Sequence, residues 1–279
     1  MASEDSKDRE TSETARCLIG AFGFHIHPSI PADGAQASFM RVADIACGTG
    51  IWLTEIAIQY PQARCDGFDI SSKYFPAPAE LKHDFGDKVR FHTCDGTAEG
   101  GYGAEFSSQF DVVAVRLFHV SLAGAEWARA VRNAVALLKP GGYLQWIDWD
   151  PHSVRLVQSR ALMETTAIAE LLAGYRSSLL PLDTGATARL AQELCASGLD
   201  DVRSELFAVD EDLRWREHFL WTIWFMMPEL LAKRAHRGPR DSADAGDWLS
   251  LKADAEGEAK QAGMWVRTEM WCHVGRKPT

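Results

Sequence analysis

The sequence has no C-x-x-C pair, no uninterrupted apolar run long enough to cross a bilayer, no N-terminal apolar segment of the secretory kind and no excess of basic charge. Its six cysteines (Cys17, Cys47, Cys65, Cys94, Cys195 and Cys272) are scattered, four of them in or beside apolar runs. That argues against disulfides or a thiolate metal site and for small, reduced core residues. The longest apolar stretch, HFLWTIWFMMPELLA, is too short for the roughly 30 Å of a bilayer core and is broken by Pro228. The opening MASEDSKDRETSET is polar and acidic, so residues 1–14 are expected to form a disordered lead, not a signal or transit peptide, and a cytoplasmic location is expected. With 29 Lys+Arg against 39 Asp+Glu, a formal net charge of −10 repels phosphate backbones and anionic membranes. The one basic cluster, AKRAHRGPR at Ala232 to Arg240, reads as the solvated end of a helix. Neither a nucleic-acid nor a membrane partner is expected. Internal repeats and low-complexity linkers are also missing.

What is present is a long alternation of strand-like and helical patterns. Of the 279 residues 46% are hydrophobic, enough to bury the core of one large folded unit. From Arg41 onward the strand candidates are RVADIA, RCDGFDI, VRFHTCD, FDVVAVRLF and GGYLQWIDW, separated by helical segments or longer connections. Such alternation predicts a doubly wound α/β fold, with parallel strands joined by right-handed crossovers. Helical patterns at about Val154 to Leu180 and Thr187 to Ser197 lead to a strand-like DVRSELFAV; a helical insertion follows, REHFLWTIWFMMPELLAKRA and DWLSLKADAEGEAKQA, and then a last strand, MWVRTEMWCHVG. This order predicts an antiparallel sheet edge and a helical lid. Residues 15–279 are read as one domain with helical cap segments at about 15–38, 154–182 and 215–262.

In doubly wound folds the ligand lies beyond the carboxyl ends of the strands. Those ends read Asp44 to Gly50, Asp69-Ile70-Ser71, Asp95-Gly96, Arg116 to His119 and Trp146 to Asp150. Gly48 and Gly50 allow a tight turn and close approach to a ligand, and the next helix points its N-terminal N–H groups to the same place. The turn therefore suits an anionic group. No Lys lies near Gly50, which argues against a P-loop, and Leu53 occupies the position where a dinucleotide fingerprint needs its third glycine. What remains is a ligand with a nucleoside and a small carboxylate but no pyrophosphate. S-adenosylmethionine fits each strand end: its methionine end at the turn, its ribose hydroxyls at Asp69 and its adenine at Asp95. The competing view treats Asp44, Asp69 and Asp95 as turn-forming or helix-capping residues only.

The runs RVADIACGTGIWLTEIA, DGFDIS, FDVVAVRLFHV and LLKPGGYLQWIDWD, with the preceding GFHIHPSIP, resemble the class I S-adenosylmethionine-dependent methyltransferases, most closely a branch common in fungal secondary metabolism. The resemblance covers about Gly23 to Asp150. It implies a seven-stranded, mostly parallel sheet with a reversed last strand, and S-adenosylmethionine as cofactor, held by Asp44, Ala46, Gly48, Gly50, Asp69, Ile70, Asp95, Gly96 and Arg116. Ala46 stands where the family's D-x-G-x-G-x-G turn has its first glycine. Alanine is small, so cofactor binding is expected to survive.

Methyl transfer requires an acceptor aligned with the S–CH3 bond in a dry pocket and, for a hydroxyl acceptor, a base near its proton. His119, after the fourth strand, is the candidate base; the alternative is a histidine that hydrogen-bonds in the turn. Phe24, His25, Trp146, Asp148, Trp221 and Phe225 are the candidate pocket residues, set against the view that the aromatic stripe is ordinary core. Asp148 and Asp150 would orient an acceptor or cap the next segment. His25-x-His27 lacks further ligands at a recognisable spacing, and RLFHVS carries no Asp-Asn pair, so no metal is expected. The function expected is methyl transfer to a small, largely apolar secondary metabolite, with oxygen favoured over nitrogen or sulfur. A cofactor-retaining cyclase or pericyclase and a non-catalytic regulator are the alternatives. Monomer and homodimer are equally compatible with the sequence.

Overall fold

The structure, a computed structural model, describes residues 20, 22–32, 40–160, 165–179, 185–208, 210, 216 and 242–279. Strands β1 (Arg41–Ile45), β2 (Arg64–Asp69), β3 (Val89–Thr93) and β4 (Phe110–Arg116) alternate with helices α1 (Ile51–Gln59) and α2 (Pro78–Phe85). Helix α3 (Glu126–Leu137) leads directly into the long strand β5 (Leu138–Gln158). After α4 (Thr166–Leu179) and α5 (Ala186–Ala196) come β6 (Asp200–Ala208), α6 (Ser242–Ala262) and β7 (Met264–Arg276).

The seven strands form one sheet in the order β3-β2-β1-β4-β5-β7-β6. Pairing is parallel from β3 across to β5, and the order reverses at β1 and β4, where β1 pairs with both β2 and β4. Strands covered on both faces need apolar side chains in succession, which is why VVAV of β4 and Val42, Ala43 and Ile45 of β1 are buried. Strand β7 runs against β5: the N–H of Gly141, near the start of β5, donates to the carbonyl of Lys277, just past the end of β7, and Lys277 N–H donates to Gly142. The reversed strand therefore lies one place in from the edge, and β6 is outermost.

The chain divides into two compact units, where the sequence suggests one domain with caps. The first comprises Met1–Trp149, Ala186–Phe207 and Met270–Thr279. Its core brings Trp127 and Trp146 together, ring centroids 6.0 Å apart, with Phe68, Phe110, Phe118, Leu144, Leu190 and Leu194. The second comprises Asp150–Gly185 and Ala208–Glu269, where α4 packs on α6 and the Glu258 carboxylate accepts the backbone N–H groups of Ala167 and Ile168 at the start of α4.

Two of the expected cap segments differ from the sequence reading. Residues 154–158 continue β5 instead of starting a helix, because the end of β5 pairs with the start of β7: Ser159 N–H donates to Gly263 and Arg160 N–H to Ala262. Within 15–38, residues 23–32 form an irregular strap. Gly23 turns left-handed (φ 75°) and Pro28 and Pro31 bar a helix. The expected helix around Trp221 and Phe225 lies outside the described residues. Among those residues, no helix is long and apolar enough to cross a membrane.

Candidate functional site

The turn after β1 is built on three left-handed residues, Ala46 (φ 53°), Gly48 (φ 55°) and Gly50 (φ 71°). Cys47 N–H donates to the Phe68 carbonyl of β2, and Gly50 N–H closes the turn on the Cys47 carbonyl. A side chain at Gly50 would collide with the Phe91 ring, 2.3 Å from where its Cβ would lie. Helix α1 follows with no side-chain cap and no acidic residue in its first turn. Its N-terminal N–H groups and the positive end of its dipole are therefore not neutralised by its own sequence.

Asp69, at the end of β2, accepts the Gly48 N–H through Oδ2 at 2.9 Å and the Ser71 N–H through Oδ1 at 3.0 Å. An ionised carboxylate has about four acceptor sites, so these two bonds leave room for further donors. Ile70 beside it is 69% exposed, a large apolar side chain open to solvent. At the end of β3 the exposed Asp95 accepts both the backbone N–H and the hydroxyl of Thr97 through Oδ1. The loop behind Asp95 is tethered by Asn133 of α3, whose amide donates to the carbonyls of Gly96 and Ala98. A Cβ on Gly96 would lie 2.2 Å from the Tyr102 hydroxyl. That hydroxyl is buried without a partner among the described residues, and burial pushes its pKa up.

Asp44 is fully buried, and both its oxygens accept from the same guanidinium nitrogen of Arg116, at 2.9 and 3.2 Å. Burial pushes the Asp44 carboxyl up to about 6, against the opposing pull of Arg116. The guanidinium lies 4.9 Å from the centroid of the Trp52 ring of α1. His25 reaches the same neighbourhood, its Nδ1 3.8 Å from Glu55 of α1; burial lowers its pKa, Glu55 opposes this, and Arg116 adds to it. The strap carrying His25 is held by the fully buried Gln145 of β5, which accepts the His27 N–H at 2.6 Å and donates to the His25 carbonyl at 3.0 Å. Phe24 meets the His27 ring edge to face at 5.0 Å and packs against Phe207 of β6.

A third group forms where β4 and β5 end. His119 sits in a short 3-10 turn after β4, 1% exposed, with its Nδ1 on Oδ1 of the fully buried Asp148. Trp149 lies 5.1 Å from the imidazole, centroid to centroid. Trp146, expected to line a pocket, is fully buried between Phe118 and Trp127, with its indole N–H donating to Asp148. It belongs to the core because inward positions of a central strand face the helix layer. Asp148 likewise faces protein groups, the N–H groups of Phe118, His119 and Trp146 and the His119 imidazole.

Most of the expected strand-end residues thus stand in three clusters, with Asp95 and Gly96 apart from them. Gly48 joins Asp69, Asp44 joins Arg116 and His25, and His119 joins Asp148. Trp221 and Phe225 lie outside the described residues. Sequence reasoning missed Tyr102, Asn133, Glu55 and Gln145. Only Gln145 carried a signal, an amide inside the buried apolar run YLQWI.

Residues 42–142 match the family described as "Methyltransferase domain". Over 127 residues the chain is 32% identical to methyltransferase grgD of Penicillium sp, covering 42% of this chain and 41% of that protein. Over 109 residues it is 31% identical to N-methyltransferase sirN of Leptosphaeria maculans, covering 39% of this chain and 36% of that protein. The matches span about two fifths of the length of these curated relatives. The crystal structure of the (4+2)-cyclase SpnF shares the fold, with a TM-score of 0.52 at 18% identity over 96% of this chain and 82% of that one. Over residues 42–142 the chain is therefore similar to methyltransferase domains, and the relatives it resembles in Penicillium and Leptosphaeria are named methyltransferases.

Proposed function

We propose that the protein transfers a methyl group from S-adenosylmethionine to a small, largely apolar secondary metabolite, onto oxygen in preference to nitrogen or sulfur. The observation that carries this reading is the turn itself: three left-handed residues leading into a helix whose N-terminus has no acidic partner, with the Asp69 carboxylate bonded across it. That arrangement fits the cofactor residue by residue. The N-terminus of α1 would receive the methionine carboxylate, Asp69 the ribose hydroxyls, exposed Ile70 one face of the adenine, and Asp95 with Gly96 its edge. Arg116 neutralises Asp44 beneath the site. His25 and Phe24 on the strap would border the acceptor, and His119 would take its proton. When bound, S-adenosylmethionine would supply an electrophilic methyl group to the acceptor oxygen, its sulfur retaining the electron pair of the C–S bond. The likeness to a cyclase is one of fold and favours neither activity.

The test incubates the protein with methyl-labelled S-adenosylmethionine and an extract of the source organism. Label appearing in a metabolite supports transfer; consumption of a precursor without label would replace this reading with a cyclisation.

A further inference from the structure

Asp148 spends its hydrogen bonds on protein groups. Its Oδ2 accepts the backbone N–H groups of Phe118 at 3.0 Å and His119 at 2.9 Å and the indole N–H of Trp146 at 3.2 Å. None of these three groups can accept a proton, so Oδ2 is committed as an acceptor. Oδ1 faces one atom only, Nδ1 of His119. A proton held between Oδ1 and Nδ1 leaves Nε2 with its lone pair. Nε2 is buried and has no hydrogen-bond partner among the described residues. Buried polar atoms are nearly always paired, and a histidine serving only to brace the turn would be expected to use both nitrogens. The imidazole is instead gripped at Nδ1 and, among the described residues, unpartnered at Nε2, with the Trp149 ring 5.1 Å away centroid to centroid.

We propose that Asp148 is a positioning residue that fixes His119 in the Nδ1–H tautomer, and that the methyl acceptor is consequently a neutral hydroxyl compound, a phenol or enol, which gives its proton to Nε2. The proposal rests on the methyl-transfer reading above. A hydroxyl must lose its proton as its oxygen bonds to carbon, and a bare imidazole nitrogen in an apolar surrounding takes it, becoming an imidazolium stabilised by the Asp148 carboxylate. The Trp149 ring, 5.1 Å from the imidazole, suits a flat, uncharged acceptor beside it and disfavours an ammonium group. In the Asp148→Asn variant an amide oxygen can retain the three N–H donors of Oδ2, which turns the amide NH2 toward Nδ1 and forces the opposite tautomer with Nε2 protonated.

The experiment records long-range 1H–15N spectra of the full chain with labelled histidine, His119 being assigned by its absence in His119→Gln. The wild type should show a pyridine-type Nε2 and a protonated Nδ1, and Asp148→Asn should exchange the two. With the acceptor recovered from the labelled extract, both variants should lose about a hundredfold or more in turnover while affinity for S-adenosylhomocysteine stays within about threefold. A protonated Nε2 in neutral wild-type His119, an unchanged tautomer in folded Asp148→Asn, or label recovered on nitrogen would each overturn the proposal. Should Asp148→Asn not fold, the wild-type spectrum alone decides the tautomer. No acceptor is needed for that spectrum, so a wrong tautomer leaves the methyl-transfer reading standing. A correct tautomer without any labelled product instead overturns that reading and the acceptor assignment with it.

Discussion

The backbone N–H of Gly48 donates to Oδ2 of Asp69 at 2.9 Å, so the turn after β1 and the carboxylate at the end of β2 form one unit. Asp69 therefore has two tasks in the proposed site, bracing the turn and receiving the ribose. Asp69→Ala removes both and should weaken S-adenosylhomocysteine binding by about 2 kcal/mol or more. Asp69→Asn, which keeps an acceptor for Gly48, should lose less. Isothermal titration calorimetry decides, and unchanged affinity in the alanine variant would remove Asp69 from the site.

Gly48 and Ala46 make opposite predictions because both are left-handed. Gly48→Val places a β-branched residue at φ 55° and should abolish cofactor binding in a chain that still folds. Ala46→Gly relieves an alanine held at φ 53° and should raise stability by about 1 kcal/mol or less, since glycine also gains freedom in the unfolded chain. Calorimetric titration and circular dichroism test the first variant. A lower melting temperature for Ala46→Gly would show that the alanine methyl group packs usefully.

Asp44 links folding to pH. Burial raises its folded-state pKa to about 6, above the ordinary carboxylate value, so the native state binds the proton more tightly than the unfolded chain does. Its contribution is fully present below about pH 4 and is lost as pH rises through about 6. Relative to Asp44→Asn, the wild type should lose on the order of 2–3 kcal/mol of unfolding free energy between pH 4 and pH 7. Denaturant titrations at several pH values measure the difference, and a flat difference would mean that Arg116 holds the carboxylate at its unfolded value.

Gln145 ties the strap to the sheet through both ends of its amide. Gln145→Leu should cost about 1–3 kcal/mol through the backbone groups of His25 and His27 it leaves unpaired, and should speed hydrogen exchange in residues 22–30 more than in β1 or β4. Mass spectrometry of the exchanged peptides reads this directly; equal protection of the strap in both proteins would refute the tether.

Much of the first unit was legible in the sequence because its signals are local. A buried parallel strand announces itself by consecutive apolar residues, a turn by its glycines, and the topology of parallel strands brings Asp44, Asp69, Asp95 and Arg116 to one end of the sheet whatever the rest of the chain does. The partners of those residues were not legible. Arg116 finds Asp44 72 positions away, His119 finds Asp148 29 away, and Gln145 reaches His27 across 118. Hydrogen-bond partners are chosen by which donor packing brings within about 3 Å, and no local pattern encodes that distance. The same cause separates expectation from structure at Val154 to Gln158, where a short apolar pattern suits helix or strand alike and pairing with β7, more than 100 residues later, makes it strand. The sequence by itself determined the turn, the strand ends and their resemblance to methyltransferase domains. Tertiary structure alone decided that Trp146 is core, that Asp148 faces His119, and that residues 23–32 form a strap, because each depends on contacts made only when distant segments pack together.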